Sequence, residues 1–361
     1  MPLIPAALVN LALPLTRPLA AFLREDVFDY YGRLLHPQLQ LRRVFARLKA
    51  RRLEGEATVV LTLSPSRNWR GFRAGQHVAV TLEKDGVRHT RRYSPMRAAN
   101  GRIEIAIKRL KEGLVSSLLH EEADSIGYLE IGQAEGDFVL PDTLPPRLLF
   151  LAAGSGITPI LAMLRELKAR GYQGELNLLY YGRHRNQMAY LDELRAYPGL
   201  HLHVCLTGEQ AQAGEQAGRF SAAQLDALVP KAEGSAVFAC GSHGFTEAVQ
   251  AVWQQRGWQG LACESFTPPT WHLEDDKPVT LTFARARRQL AGRTGGTLLE
   301  QAEAHGLKPA SGCRMGICNT CTCQKREGAV RDLRTGEIST KPDETIRLCI
   351  TAPVGNVVLD L

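Results

Sequence analysis

The stretch "ASGCRMGICNTCTC", Ala310 to Cys323, holds four of the chain's eight cysteines within eleven residues. Nothing else in the sequence constrains the fold as tightly, because a shared metal fixes several backbone points around one small object and contributes directly to folding. Cys313, Cys318 and Cys321 read C-x4-C-x2-C, and Cys349 follows after a further 27 residues. This is the plant-type spacing of a 2Fe-2S cluster, in which four thiolates hold two irons. Zinc fits less well, since structural zinc sites commonly use two C-x2-4-C pairs and no second pair surrounds Cys349. Cys323 is left over and reads as a buried thiol in the strand that leaves the loop. Gly312 and Gly316 let the loop wrap closely and turn backbone N–H groups toward sulfur.

A chain of 361 residues exceeds one ordinary domain, so two or three are expected. Its 44% hydrophobic and 22% charged content is that of a globular protein with several cores. The formal net charge of +7 raises the question of polyanion binding. Much of the excess lies in "LRRVFARLKARR", Leu41 to Arg52, and the remaining Lys and Arg residues are scattered, which favours a solvated basic face or cofactor-phosphate contacts over nucleic acid. Cysteines crowded into one loop, with no secretory signal, suit metal ligation in a reducing cytoplasm. The opening "MPLIPAALVNLALPLTRPLAAFL" is apolar but broken by Pro2, Pro5, Pro14, Pro18 and Arg17, so it lacks the ~20 unbroken apolar residues of a span. It reads as an arm packed on the body or, alternatively, as a peripheral contact with the inner face of a membrane.

Residues 1–44 are expected to form this arm together with a short helix, "EDVFDYYGRLLHP". Residues 45–143 are β-rich, with turn signals such as "KDGV" at Lys84 to Val87, and suit an antiparallel barrel. From 144 to 268 strands alternate with amphipathic helices, beginning with "RLLFLAAGSGITPILAMLRELKARG", which implies a parallel α/β sheet. Residues 269–277 read as a linker, and 278–361 carry the cysteine loop between short strands and a helix.

This last piece resembles a plant-type ferredoxin, which implies a β-grasp fold with Cys313, Cys318, Cys321 and Cys349 as ligands. Upstream, "RRYSP" and "KRLKEGLVSS" resemble the R-x-Y-S and G-x-x-S flavin elements of the ferredoxin:NADP reductase superfamily. The resemblance implies that Arg91, Tyr93, Ser94, Lys108, Gly113, Val115 and Ser116 contact the flavin. The chemistry is legible: Arg91 offers a fork of donors to a pyrophosphate, Tyr93 an aromatic surface, Ser94 a hydrogen bond to the reactive ring edge, and a helix opening at Gly113 its N–H groups. "GSGITP" resembles the same superfamily's pyridine-nucleotide element, through Gly154, Gly156, Thr158 and Pro159. "ACG" matches its C-G element through Cys240 and Gly241, and "ESF" its closing E-x-F through Glu264 and Phe266.

Ser94, Cys240 and Glu264 are expected around the hydride transfer. Arg183 and Arg185 follow the second strand of the nucleotide domain with no acidic residue before Asp192, which favours the 2′-phosphate of NADPH, with NADH as the alternative. FMN enzymes share this domain order, but "GLVSSLLH" looks more like the FAD-bearing branch. The whole implies an oxidoreductase that takes hydride from NAD(P)H onto flavin and passes single electrons through the cluster to a protein acceptor. The domain order and N-terminal segment look most like the partners of membrane-bound fatty acyl desaturases or hydroxylases. The alternatives are a reductase for a soluble ring-hydroxylating or di-iron oxygenase and a redox-sensing binding protein.

Overall fold

The structure, a computed structural model, describes residues 25–84, 87–110, 113–266, 276–312, 314, 316 and 320–361. The apolar N-terminal arm, the Asp85–Gly86 turn, most of the expected linker, and Cys313 and Cys318 lie outside the described residues. The expected first helix runs Glu25–Leu35.

Seven strands form the first sheet: β1 (Val44–Glu54), β2 (Thr58–Pro65), β3 (Val78–Lys84), β4 (Val87–Tyr93), β5 (Pro95–Arg97), β6 (Ile103–Lys108) and β7 (Tyr128–Ile131). Their order is β4-β3-β7-β1-β2-β6-β5, and every pairing is antiparallel. Alternation of apolar and polar side chains supplies one buried face, with Val59, Leu61, Val78, Val80, Ile105 and Ile107 inside. The helix Leu114–Glu121 contributes Val115 and Leu119 to that core. The basic run of β1 turns mostly outward, and the arginines in and just before it meet partners: Arg43 pairs with Glu130, Arg52 with Glu54, and Arg51 donates to the carbonyl of His120.

The second sheet contains β8 (Arg147–Ala153), β9 (Glu175–Gly182), β10 (Leu200–Leu206), β11 (Gln216–Ala217), β12 (Ala236–Gly241) and β13 (Leu261–Ser265). Its order is β11-β10-β9-β8-β12-β13, parallel throughout. The near-continuous apolar runs of β8 and β9 follow from burial on both faces. The chain reverses direction across the sheet between β8 and β12, and the carboxyl ends of such strands form the usual ligand crevice of an open α/β sheet.

The two sheets share one core: Val60, Met96 and Ala106 pack with Phe150, Ile160 and Leu164. Arg165, on the helix Ile157–Ala169, fastens the seam. It donates to Glu104 of the first sheet at 2.9 Å and forks onto Glu193 at 2.7 Å through two nitrogens. These carboxylates keep its guanidinium firmly charged despite partial burial.

The third sheet is built from β14 (Pro278–Phe283), β15 (Arg288–Arg293), β16 (Thr322–Asp332), β17 (Ile338–Ser339), β18 (Glu344–Arg347) and β19 (Thr351–Leu359). It runs β15-β14-β19-β16-β17, with β18 also on β16, and β14 lies parallel to β19. The helix Leu298–Ala304 opens with a capping box between Thr297 and Glu300 and seats Leu298, Leu299 and Ala302 in the core.

Candidate functional site

A groove of about 790 Å³ runs along the carboxyl ends of β8, β9 and β12 and reaches the first sheet. Gly154, Gly241 and Phe266 line it from the nucleotide domain; Lys108 and Leu110 line it from the barrel. Gly154 takes φ of +56°, a conformation glycine adopts without cost. Gly156 packs against the next strand so closely that a Cβ would lie 2.1 Å from the carbonyl oxygen of Cys240. Thr158 closes the turn by donating to Ser155 O at 3.1 Å, and Pro159 occupies the first turn of the helix, where its missing N–H costs nothing.

Three cations converge on this groove: Lys108, Arg183 and Arg219. The Lys108 ammonium is held below its ordinary value, first by burial and then by the charge of Arg183. Such mutual repulsion is what an anionic ligand would relieve, so the groove fits a dinucleotide phosphate chain. Arg185 departs from the sequence expectation. Its guanidinium forks onto Glu215 at 2.7 and 2.5 Å, a further nitrogen lies 3.3 Å from Glu209, and its backbone N–H donates to Glu209. The two arginines are thus separated, one facing the groove and one committed to carboxylates. Arg219 had no sequence signal, because it sits in a loop far from β9 and reaches the groove only through the fold.

On the barrel, Arg91, Tyr93 and Ser94 fall at the end of β4. Arg91 is exposed and donates to Thr90 O at 2.8 Å. Burial pushes the Tyr93 hydroxyl up to about 12, against an opposing influence from Arg91. Ser94 is buried, and its hydroxyl has no partner. Ser116 folds its hydroxyl back to Gly113 O at 2.9 Å and accepts from Leu110 N at 3.2 Å, so the turn into the helix is preformed. A Cβ at Gly113 would collide with that hydroxyl at 2.4 Å. Val115 is buried, which leaves its backbone as the part able to contact a ligand, and no side chain caps this helix start. An orphan hydroxyl, an uncapped helix N-terminus and an exposed arginine together suit a flavin diphosphate and ring.

Cys240 and Glu264 are register partners on adjacent parallel strands. The Cys240 thiol is fully buried and lies well above its ordinary range, chiefly through burial, with Glu264 and Cys263 adding to the effect. Its neighbour Gly241 lines the groove, with Cys240 buried behind it. Glu264 Oε1 lies 3.4 Å from His77 Nδ1, across the seam between sheets, while Oε2 is buried without a partner.

In the third sheet, Cys321 and Cys349 are buried and tied together by Leu348 N donating to Cys321 O at 3.1 Å. Gly316 donates its N–H to Cys349 Sγ at 3.2 Å, and its φ of +72° leaves no room for a side chain against Ile350. Arg347 Nη1 holds Gly316 O at 2.5 Å, and Arg314 forks onto Glu303 at 2.8 and 2.5 Å. A backbone N–H aimed at a cysteine sulfur fits a thiolate that carries a cluster. Cys323 is buried within β16.

A dinucleotide groove opening onto a flavin-type barrel, followed by a cysteine-ligated cluster domain, defines an electron-transfer flavoprotein. Comparison with known proteins agrees. Residues 47–139 match the family described as oxidoreductase FAD-binding domain, 150–251 the oxidoreductase NAD-binding domain and 281–354 the 2Fe-2S iron-sulfur cluster binding domain. The "NADPH oxidoreductase" of Mycobacterium tuberculosis is 30% identical over 369 residues, 98% of this chain and 92% of that protein. The "NADH oxidoreductase HCR" of Escherichia coli is 27% identical across 80% of this chain and 88% of its own length. The "phenoxybenzoate dioxygenase subunit beta" of Ectopseudomonas oleovorans is 29% identical across 80% and 88%. Among solved structures, phthalate dioxygenase reductase superposes with a TM-score of 0.60 at 21% identity, covering 88% of this chain and 98% of that one. The chain belongs to the ferredoxin reductase superfamily, in the branch that carries a 2Fe-2S ferredoxin domain. It is an NAD(P)H-dependent oxidoreductase with FAD and a 2Fe-2S cluster as cofactors.

Proposed function

We propose that the chain is the reductase component of an oxygenase system, taking hydride from NADPH and delivering single electrons to a separate oxygenase protein. The observation that carries this reading is the continuous groove, which brings Arg183 and Arg219 into the same channel as Phe266 and the barrel residues Lys108 and Leu110. A nucleotide anchored by its phosphates at one end would present its ring at the flavin seam at the other. Flavin can accept two electrons as hydride and release them singly, which suits a one-electron cluster. The chain's own residues bind and orient: Arg183 and Arg219 hold phosphate, Ser94 and Glu264 face the ring edges, and Gly316 and Arg347 shape the cluster loop. Buried Cys240 backs the seam without offering a proton.

The oxygenase assignment draws on the names of relatives such as the phenoxybenzoate dioxygenase subunit. NADPH is favoured by the two groove arginines and by the mycobacterial relative's name, while the Escherichia coli relative is named for NADH. A membrane-bound desaturase or hydroxylase is the second reading. What favours it is the apolar opening segment. No helix among the described residues is long and apolar enough to cross a membrane. Reconstitution decides between them: the purified reductase is combined with soluble oxygenases or with membrane desaturases and hydroxylases, and product is scored per NADPH consumed. Coupled turnover with a soluble oxygenase supports the first reading; coupling confined to membrane enzymes replaces it with the second.

A further inference from the structure

His77 and Arg92 have no place in the superfamily resemblance, yet they form the one charged connection found between the barrel and Glu264 among the described residues. His77 is nearly buried, and its backbone is fixed by two hydrogen bonds with Glu135, both 2.9 Å. Gly136 makes room for its ring: a Cβ there would approach the imidazole to 3.1 Å. Arg92 Nη1 lies 2.5 Å from His77 Nε2, and Arg92 Nη2 is 3.6 Å from Glu135 Oε2. A guanidinium has donors only. The Arg92 contact therefore requires Nε2 to accept, which leaves the ring proton on Nδ1. That atom is the one 3.4 Å from Glu264 Oε1.

The second oxygen, Oε2, is buried with no partner. An uncommitted buried carboxylate oxygen is expensive, so its retention beside Cys240 calls for a partner supplied by the ligand. The nicotinamide ring becomes a cation when it gives up hydride, because the proton and both electrons leave together for the flavin. A fixed anion next to that ring would favour the charge as it forms.

We propose that His77 is a positioning residue for Glu264: locked by Arg92 in its Nδ1–H tautomer, it holds Oε1 and leaves Oε2 to face the nicotinamide cation. This rests on the proposed reading that Glu264 borders the hydride transfer. An imidazole fixed at one nitrogen by a permanent cation cannot turn away from the carboxylate, so the geometry exists before the nucleotide arrives.

The test uses the full-length, FAD-loaded and cluster-loaded protein and the variants His77→Phe, His77→Asn and Glu264→Gln. Two quantities are read: the dissociation constants of NADP⁺ and NADPH by difference absorbance, and the limiting rate of flavin reduction in stopped flow. Loss of the charge-assisted contact in His77→Phe should weaken NADP⁺ about tenfold and slow reduction about tenfold, with NADPH binding unchanged. Asparagine places an N–H near the position of Nδ1, so His77→Asn should recover to within about threefold. If Glu264→Gln weakens NADP⁺ while His77→Phe matches the parent, the positioning role is overturned and the reading of Glu264 stands. If Glu264→Gln itself changes neither quantity, that reading has failed. Equal impairment in His77→Phe and His77→Asn also overturns the proposal, since an N–H restored near the position of Nδ1 would then recover nothing. Should His77→Phe lose its flavin, Arg92→Met carries the test by releasing the tautomer with the ring in place. A fall of about threefold in NADP⁺ affinity is expected, and the parent value would overturn the proposal.

Discussion

Gly156→Ala offers the sharpest test of how the nucleotide turn is built. The backbone at Gly156 has ordinary helical angles, so alanine brings no conformational strain of its own. The obstacle is steric: the new Cβ would lie 2.1 Å from Cys240 O, 2.4 Å from Cys240 C and 2.8 Å from Gly241 N. All three are backbone atoms of β12, which cannot rotate aside. Reaching even 3.0 Å from the oxygen requires the turn and β12 to part by about 0.9 Å. Overpacking of this kind costs about 1–3 kcal/mol, and a misplacement near 1 Å at a reacting geometry costs about 10²-fold in rate. NADPH-to-ferricyanide kcat/KM should therefore fall by about two orders of magnitude, while the visible FAD spectrum, which depends on the barrel, stays at full intensity. Gly154→Ala is the control within the same turn. Its φ is +56°, but its Cβ would find nothing nearer than Lys108 Nζ at 4.0 Å, so it costs only the ~1–2 kcal/mol of a left-handed alanine. A Gly156→Ala protein that keeps kcat/KM within threefold of the parent, or a Gly154→Ala protein that suffers more, would refute the reasoning.

Arg183→Ala should lower the preference for NADPH over NADH about tenfold, a modest figure because the groove is open to solvent; Arg185→Ala should leave that ratio unchanged, and paired kinetics with both nucleotides separate the two. Glu215 titrates at about 2 rather than 4.5, chiefly because Arg185 hydrogen-bonds its carboxylate. A depressed carboxylate contributes stability above the unfolded value and loses it as pH falls toward the folded one. The gap in urea midpoint between the parent and Glu215→Gln should therefore be constant above pH 5 and close between 4.5 and about 2; a gap unchanged at pH 3 would contradict the pairing. Arg347→Gln removes a cation from the cluster loop and should lower the cluster's reduction potential by roughly 60 mV, one tenfold step for a one-electron couple, as read by redox titration monitored by electron paramagnetic resonance.

Periodicity and motif spacing carried the reading a long way. Alternation in "VAVTLEK" and "IEIAIK" marks half-buried strands, and the apolar runs of "RLLFLAA" and "ELNLLYYG" mark strands covered on both faces; the sheets follow. What spacing cannot supply is the identity of partners distant in sequence. Arg183 and Arg185 look equivalent in "GRHR", but only one has Glu215 waiting 30 residues downstream. Arg165 reads as a solvated position on an amphipathic helix until Glu104, from another sheet, arrives beside it. His77 looks like an ordinary alternating strand-flank residue, and its significance depends on Glu264, 187 positions away. Arg219 and the short strand Gln216–Ala217 carry no local signal at all.

The order of strands in the third sheet has a consequence for how the protein is made. Its central strand, β19, is later in the chain than both neighbours, β14 and β16, and Cys349 sits just ahead of it. The first two sheets are complete within residues 44–131 and 147–265. As the chain emerges during synthesis, and domains fold as units from the N-terminus, the flavin and nucleotide modules can be finished and loaded while the cluster module still lacks its middle. The strand order thereby lets flavin acquisition precede cluster insertion. A chain whose cluster is never inserted is expected to be a yellow protein that still oxidises NAD(P)H yet has no outlet for single electrons, and the ratio of flavin to iron in a preparation records how far assembly went.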